Sequence, residues 1–323
     1  MKPLEAAWEA VLAAPDDDQA LLVLADALME RGDPHGELIR LQLMGADSLS
    51  HVDLHLAELF GDKERFLRWS RASSRRGGLH FSRGFLDWVE IESLADLSAL
   101  IELPIARLLP ELGLRSVFDD PIEAAVDLIA NRGPRSLTSL DFGWAEDDLP
   151  HSGLIDVAKL TAALPRVTDL TVGTWSATLA GARSPSLTRL ELNCEHPIIG
   201  LGNARLDRLA RLALRLPFRG MDLPPSLLGG EVAPTLKSLT IWGALWPQQL
   251  RVLAQSPLLE RLTELRIGAE AETGWYGALL ETIDAFGHLE RIKLSADRHH
   301  PEWVQAVKAA LPQVIIREPQ LRL

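Results

Sequence analysis

A six-residue pattern, Leu-x-x-Leu-x-Leu, recurs along this chain and constrains its fold more than any other feature. When Val, Ile or Phe is accepted at the leucine positions, ten copies start 20 to 30 residues apart. They begin at Leu86, Leu109, Leu137, Val167, Leu187, Leu209, Leu236, Leu262, Leu289 and Leu311. A strand and a return segment of this length cannot bury their own apolar side chains. The pattern therefore predicts stacked units that share one core.

This hexad at a period in the twenties is typical of leucine-rich repeats. The predicted fold is an α/β leucine-rich-repeat solenoid, with a curved parallel sheet and with helices and irregular segments on the convex side. Apolar stripes predict helices over 121–131, 153–163, 247–259, 276–286 and 301–310. The Asn or Cys that follows the hexad in the common form of the repeat is absent here, so we expect an irregular stack.

The first part of the chain reads as a separate helical module. Four residues, Leu4, Trp8, Val11 and Leu12, fall on one stripe at helical spacing, and Pro15 ends that helix. Three aspartates at 16–18 then cap the next helix. Further helices are expected over 19–31 and from about residue 36. A further amphipathic stretch over 52–69 completes the module, and two glycine-bounded turns are expected over 77–84.

The motif Glu-Arg-Gly-Asp-Pro at 30–34, followed by Gly36-Glu37, carries a family resemblance. Over roughly the first 45 residues the chain resembles the bacterial repeat-companion domain, a helical module at the N-terminus of bacterial leucine-rich-repeat proteins. The resemblance implies a cap on the open end of the solenoid, which terminal units require. It implies no biochemical activity, because none is established for that family.

Charge supports the same organisation. Residues 1–64 hold 14 acidic and 4 basic residues, which accounts for −10 of the net charge of −12. Six arginines then follow without an acid between positions 65 and 83. We interpret the chain as an acidic helical cap over 1–70, a basic linker over 71–85, and a solenoid of about ten units over 86–323. The basic run is either a nucleic-acid patch or a neutralising neighbour of the acidic module, and we favour the second.

Composition narrows the classes of function. No run approaches the roughly 18 apolar residues of a membrane span, and the start lacks the apolar core of a secretory signal. A single cysteine excludes an internal disulfide framework. The negative net charge argues against a polyanionic partner. We therefore expect a cytoplasmic protein with neither a nucleic-acid nor a membrane partner.

Candidate catalytic groups do not form a constellation in the sequence. The aspartates at 16–18 lack the spacing of a calcium loop, and the adjacent His299 and His300 have no third metal ligand at a suitable spacing. Leucine-rich-repeat ubiquitin ligases carry their nucleophilic cysteine in a separate catalytic domain, and this chain has no such domain around Cys194. No phosphate-binding loop motif is present. We expect no enzyme activity, no cofactor and no metal.

The remaining signal is geometric. If the fourth and sixth hexad residues point inward, the third, fifth and seventh face the concave surface. Arg and Trp are enriched in binding hot spots. The predicted binding residues are Arg189, Glu191, Arg211, Arg215, Trp242, Arg266, Arg291 and Lys293. An alternative is that these charges form cross-strand ion pairs which only keep the sheet soluble.

The predicted function is that of a non-enzymatic protein-interaction module that binds a protein partner on this surface. Alternatives are regulation of a partner enzyme such as a small GTPase, self-association, and an enzyme with a pocket between cap and solenoid. A second aromatic surface is also expected, because Trp144, Trp175, Trp242 and Trp246 follow predicted strands and would gather along one rim.

Overall fold

The structure, a computed structural model, describes residues 3–46, 48–76, 78–115, 121–143, 151–215, 222–243, 245–268, 275–295 and 301–317. The chain folds into two compact units, Met1–Asp148 and Leu149–Leu323. The described residues form an α/β fold with fourteen α-helices and twelve strands. The finer division at residues 70 and 86 stays a prediction.

The first unit begins with six helices. They are α1 (Pro3–Ala13), α2 (Asp18–Met29), α3 (Pro34–Leu43), α4 (Leu49–Leu54), α5 (Leu56–Phe60) and α6 (Lys63–Ala72). The amphipathic stretch expected over 52–69 is divided among α4, α5 and α6 by local signals. Gly61 follows α5 in the left-handed conformation with φ of 80°, and the Asp62 side chain accepts a hydrogen bond from the Arg65 N–H at the start of α6.

Strands and two more helices complete the first unit. They are β1 (His80–Ser82), β2 (Phe85–Ile91), α7 (Leu94–Glu102), β3 (Glu111–Leu114), α8 (Ile122–Arg132) and β4 (Ser139–Phe142). Strands β2, β3 and β4 are parallel neighbours. The expectation of turns alone over 77–84 is wrong, because β1 pairs antiparallel with β2 through a turn at Arg83 and Gly84.

The helices pack on the first hexad strand through a shared core. Trp8 is buried and meets Phe85 of β2 edge to face at 5.9 Å between ring centroids. The guanidinium of Arg107 lies 4.4 Å from the centre of the Trp8 ring. The predicted stripe is confirmed at Trp8 and Val11, which are buried, and wrong at Leu12, which is 47% exposed.

The second unit consists of eight strands and six α-helices within the described residues. In chain order these are β5 (His151–Asp156), α9 (Val157–Ala163), β6 (Asp169–Thr178), β7 (Arg189–Cys194), β8 (Arg211–Arg215), α10 (Pro225–Gly229), β9 (Ser238–Trp242), α11 (Pro247–Ala254), α12 (Pro257–Arg261), β10 (Glu264–Gly268), α13 (Trp275–Glu281), β11 (Arg291–Ser295), α14 (Pro301–Ala310) and β12 (Val314–Arg317). Strands β6 to β12 follow one another in sheet order, and β5 pairs with β6. The helix expected over 153–163 is wrong in its first part, which forms β5.

The strand register aligns the hexads position by position. Leu190 of β7 lies opposite Leu212 of β8, which lies opposite Leu239 of β9. These three side chains are buried, as are the residues two positions later in each strand. Burial of the fourth and sixth hexad residues therefore sets the register of the parallel sheet. None of the described helices is both long and apolar enough to cross a bilayer.

Candidate functional site

The outward side of strands β6 to β11 carries the predicted binding residues. Along each strand buried and accessible side chains alternate, so the third, fifth and seventh hexad residues share one side. We call this side the second polar face. It consists of Asp169, Thr171, Gly173, Arg189, Glu191, Asn193, Arg211, Ala213, Arg215, Ser238, Thr240, Trp242, Glu264, Arg266, Gly268, Arg291 and Lys293. All eight predicted residues belong to it: Arg189, Glu191, Arg211, Arg215, Trp242, Arg266, Arg291 and Lys293.

The second polar face is cationic. It holds six basic side chains against three carboxylates, Asp169, Glu191 and Glu264, so its formal charge is +3. The rest of the chain is therefore strongly acidic, since the whole carries −12. A local charge opposite to that of the molecule favours an acidic partner at this face.

Glu191 is held within its own strand. An Arg189 guanidinium nitrogen lies 3.2 Å from one carboxylate oxygen of Glu191. The Asn193 side-chain amide donates to the other oxygen at 3.1 Å. The ion pair neutralises Arg189 and Glu191 together, so neither contributes a free charge to the face.

Glu264 is held by the next strand. The Lys293 ammonium donates to its carboxylate at 3.1 Å, and an Arg291 guanidinium nitrogen lies 3.5 Å away. Burial alone raises the pKa of Glu264, but the hydrogen bond and charge of Lys293, followed by those of Arg291, outweigh it and lower that pKa. Glu264 is therefore ionised at neutral pH, and one carboxylate serves two cations.

Arg211 differs from these pairs. Its side chain is exposed, and its neighbours in the register are Arg189 on one side and Ser238 on the other. Among the residues that the structure describes, no carboxylate lies within ion-pair distance of the Arg211 guanidinium. Because Arg189 is already paired with Glu191, Arg211 is the cation of these two strands to which an added carboxylate could bind.

An arginine and a tryptophan make a preformed pair at one end of the face. The Arg266 guanidinium lies 4.1 Å from the centre of the Trp242 ring, which is a cation–π contact. The ring occupies the space above Gly268 on the next strand, where a Cβ atom would lie 1.9 Å from a ring carbon. The glycine thus allows the indole to lie across β10, and Trp242 stays half-buried.

Small side chains occupy the centre of the face. Ala213 lies opposite Thr240, and Ser238 lies opposite Arg211, so β8 and β9 present three short side chains together. The predicted binding residues do not include them, because small residues give no charge or aromatic signal. Strand alternation already places Ser238 and Thr240 on this face, and the register adds that Ala213 lies beside Thr240.

The first unit has a corresponding surface of opposite charge. We call it the first polar face; it consists of Trp88, Glu90, Glu92, Glu111, Gly113, Arg115, Ser139 and Asp141. Four carboxylates outnumber one arginine. Arg115 lies 3.1 Å from both Glu90 and Glu92. Burial lowers the pKa of Arg115, but these two carboxylates outweigh burial and raise it.

The other candidate groups have structural surroundings. Asp17 accepts a hydrogen bond from the Gln19 N–H at the start of α2, and Arg83 lies within ion-pair distance of Asp16 and Asp18. Burial raises the pKa of the Cys194 thiol to about 12, so it is protonated at neutral pH. His299 and His300 lie outside the described residues. Within the described part of the chain no group of three His, Cys, Asp or Glu residues could hold a metal.

The expected aromatic rim is altered. Trp175 lies inside β6, not after it, because that strand continues to Thr178; its side chain is 46% exposed and meets His196 edge to face. Trp246 is exposed just before α11, and Trp144 lies outside the described residues. Trp242 belongs to the second polar face.

Comparison with known proteins finds neither a matching family model nor a matching curated protein.

Proposed function

We propose that this chain is a leucine-rich-repeat solenoid with a repeat-companion cap, and that it acts as a non-enzymatic protein-interaction module. The partner binds on the second polar face. The observation that carries the proposal is a cationic surface on aligned parallel strands of an otherwise acidic chain. The buried side chains of these strands hold the strands in register, so the outward side chains can serve in recognition.

Rigid strands suit this function. The main chain of β7, β8 and β9 is fixed by hydrogen-bonded neighbours on both sides. A partner would therefore meet a preformed arrangement of charges, with side-chain adjustments and little movement of the backbone. Complementary charge at such a face gives specificity and a fast encounter rate.

Affinity capture from an extract of the native cells tests the proposal. The double variant Arg211→Glu/Arg215→Glu reverses two charges on the second polar face. The matched control, Arg205→Glu/Arg208→Glu, reverses two exposed charges in the segment before β8. Both variants change the net charge equally. We expect the first to lose a partner that wild type and control retain, and that partner should then bind again when purified.

Equal capture by all three proteins would overturn the second polar face as the binding surface. The melting temperature of each variant is the control for folding. Because the four arginine side chains are exposed, their replacement should change stability by no more than about 0.5 kcal/mol.

A further inference from the structure

We infer that the occupant of the second polar face is an acidic protein segment, which seats a carboxylate beside Arg211 and an apolar side chain against Trp242. The inference rests on the proposed function and specifies the chemistry of the partner. It follows from the shape of the face, from the distribution of its charges and from the position of Trp242.

The shape is inferred from the sizes of the side chains: the face is lowest over β8 and β9, and we call this part the depression. Ala213, Ser238 and Thr240 form its floor. Longer side chains flank it, with Glu191 on β7 and Arg266 on β10 in the same row as Ala213 and Thr240. Four neighbouring strands at about 4.8 Å spacing set these flanks roughly 14 Å apart. Neighbouring strands lie only about 4.8 Å apart, so flanks at this separation leave room for one extended segment between them.

The charges assign an anion to this depression. The carboxylates at its flanks are already paired, Glu191 with Arg189 and Glu264 with Lys293 and Arg291. Arg211 borders the floor and has no carboxylate within ion-pair distance in the described part of the chain. A carboxylate supplied by a partner would form a charge-assisted hydrogen bond with it.

The same charges favour a protein over a nucleic acid. Asp169, Glu191 and Glu264 are spread across the face. A nucleic-acid strand carries a phosphate on every nucleotide, so a strand lying across the face would bring phosphates close to these carboxylates. An acidic protein segment can place isolated carboxylates where the arginines are. The net charge of −12 adds a long-range penalty against a polyanion.

Trp242 supplies an apolar contact at the end of the same depression. It is neighbour to Arg215 on β8 and lies across Gly268 on β10. Its position is fixed by the space above the glycine and by the contact with Arg266. A half-buried, preorganised indole is a suitable anchor for an aliphatic or aromatic side chain of the partner.

Selection from an unbiased library of random twelve-residue peptides tests this chemistry. The displayed library is first depleted on the Arg211→Glu/Arg215→Glu variant and then selected on the wild type. We expect enriched sequences with Asp or Glu within a few positions of a large apolar residue. A fluorescent copy of the best peptide should bind the depleting variant at least about tenfold more weakly than wild type.

Three matched probes sharpen the result. Binding to the Arg205→Glu/Arg208→Glu control should stay within about twofold of wild type, and Trp242→Ala should weaken binding severalfold. A peptide copy with Gln for Glu and Asn for Asp should lose most of its affinity. A twenty-nucleotide oligothymidylate should fail to compete at concentrations at which the unlabelled peptide competes fully.

Three outcomes would contradict the inferred partner chemistry. Enriched peptides without acidic residues, or no enrichment over the depleting variant, would overturn the inference, and so would effective competition by the oligonucleotide. The proposed function fails separately, when capture of the cellular partner is unaffected by the same double variant. A neutral peptide that binds at the face would thus contradict the partner chemistry and leave the proposed function standing.

Discussion

The two polar faces of this protein have the same strand geometry and opposite charge. In the first, Glu90, Glu92, Glu111 and Asp141 outnumber Arg115; in the second, six cations outnumber three carboxylates. Both are built from the outward positions of hexads whose inward positions are nearly all leucine, isoleucine or valine. The inward residues set the register, which leaves the outward residues free to differ in charge between the two faces.

The faces share one packing arrangement, in which the tryptophan is exposed to different extents. In each, a tryptophan lies over a glycine of the next strand, Trp88 over Gly113 and Trp242 over Gly268. Trp88 is only 5% exposed, whereas Trp242 is half-buried. The first indole is thus mainly structural, and the second retains accessible surface for a partner.

The largest expected effect tests what the faces share. Replacing Leu140 in the first unit or Leu212 in the second by Asp would bury an unpaired charge in the core. Each change should cost several kcal/mol of unfolding free energy, measured by urea denaturation. The outward change Thr171→Asp is the control and should cost less than about 1 kcal/mol. If either leucine variant is as stable as the wild type, the strand register is wrongly assigned.

The next effect separates the two tryptophans. Trp88→Ala removes a buried indole and should destabilise the protein by about 3–5 kcal/mol. Trp242→Ala removes a half-buried one and should cost roughly half as much or less, because part of its surface is already in water. Chemical denaturation of both variants measures the difference. Equal costs would mean that Trp242 has a structural role and would weaken its assignment as an anchor.

A pH effect should belong to the first unit. His35 is buried against Phe85, with its Nε2 2.9 Å from the Gly84 carbonyl oxygen. Burial lowers its pKa from 6.5 to about 4, more than Asp33 and the bond to Gly84 raise it. The unfolded chain therefore takes up the proton first, and stability falls as pH decreases from 6.5 towards 4.

Between pH 7.5 and pH 5 the loss from His35 alone should be about 2 kcal/mol. Other groups titrate in the same range, so the measurement is the difference between wild type and His35→Gln at the two pH values. The advantage of the wild type should shrink by that amount at pH 5. A pH-independent difference would contradict the burial of a neutral His35.

The smallest expected effect on stability comes from the second polar face itself. Reversing Arg211 and Arg215 together should change the unfolding free energy by no more than about 0.5 kcal/mol, since both side chains are exposed. Thermal unfolding beside the Arg205→Glu/Arg208→Glu control measures it. A loss of several kcal/mol of unfolding free energy would indicate that these arginines stabilise the sheet and do not serve mainly to bind a partner.

Much of the sheet could be predicted from the hexads, because burial of alternate leucines fixes both the position and the register of a strand. Strands β1 and β5 could not. The three residues of β1 are defined by their antiparallel pairing with β2, and β5 by its pairing with the extension of β6 beyond its hexad. Leu12 was misassigned because a stripe at helical spacing covers more of a helix surface than its neighbours bury.

The site was predictable in outline for the same reason. Alternation places all eight residues on one face, but it cannot show which charges are paired. That Glu264 is shared by Arg291 and Lys293 depends on the register between β10 and β11. The floor around Ala213 likewise depends on which residues of β8 and β9 are opposite each other. Ion pairs and side-chain neighbours of this kind join residues on adjacent strands, whereas the hexad describes residues within one strand.

Photo-crosslinking at one position on each polar face tests most directly whether the partner binds on the second polar face. A photoreactive amino acid replaces Thr240, at the centre of the second polar face, or Ser139, on the first, and the labelled protein is irradiated in an extract of the native cells. We predict a discrete protein adduct at position 240 that disappears with Arg211→Glu/Arg215→Glu, and no corresponding adduct at position 139. Adducts that are the same at both positions, or that survive the double charge reversal, would contradict the assignment of binding to the second polar face.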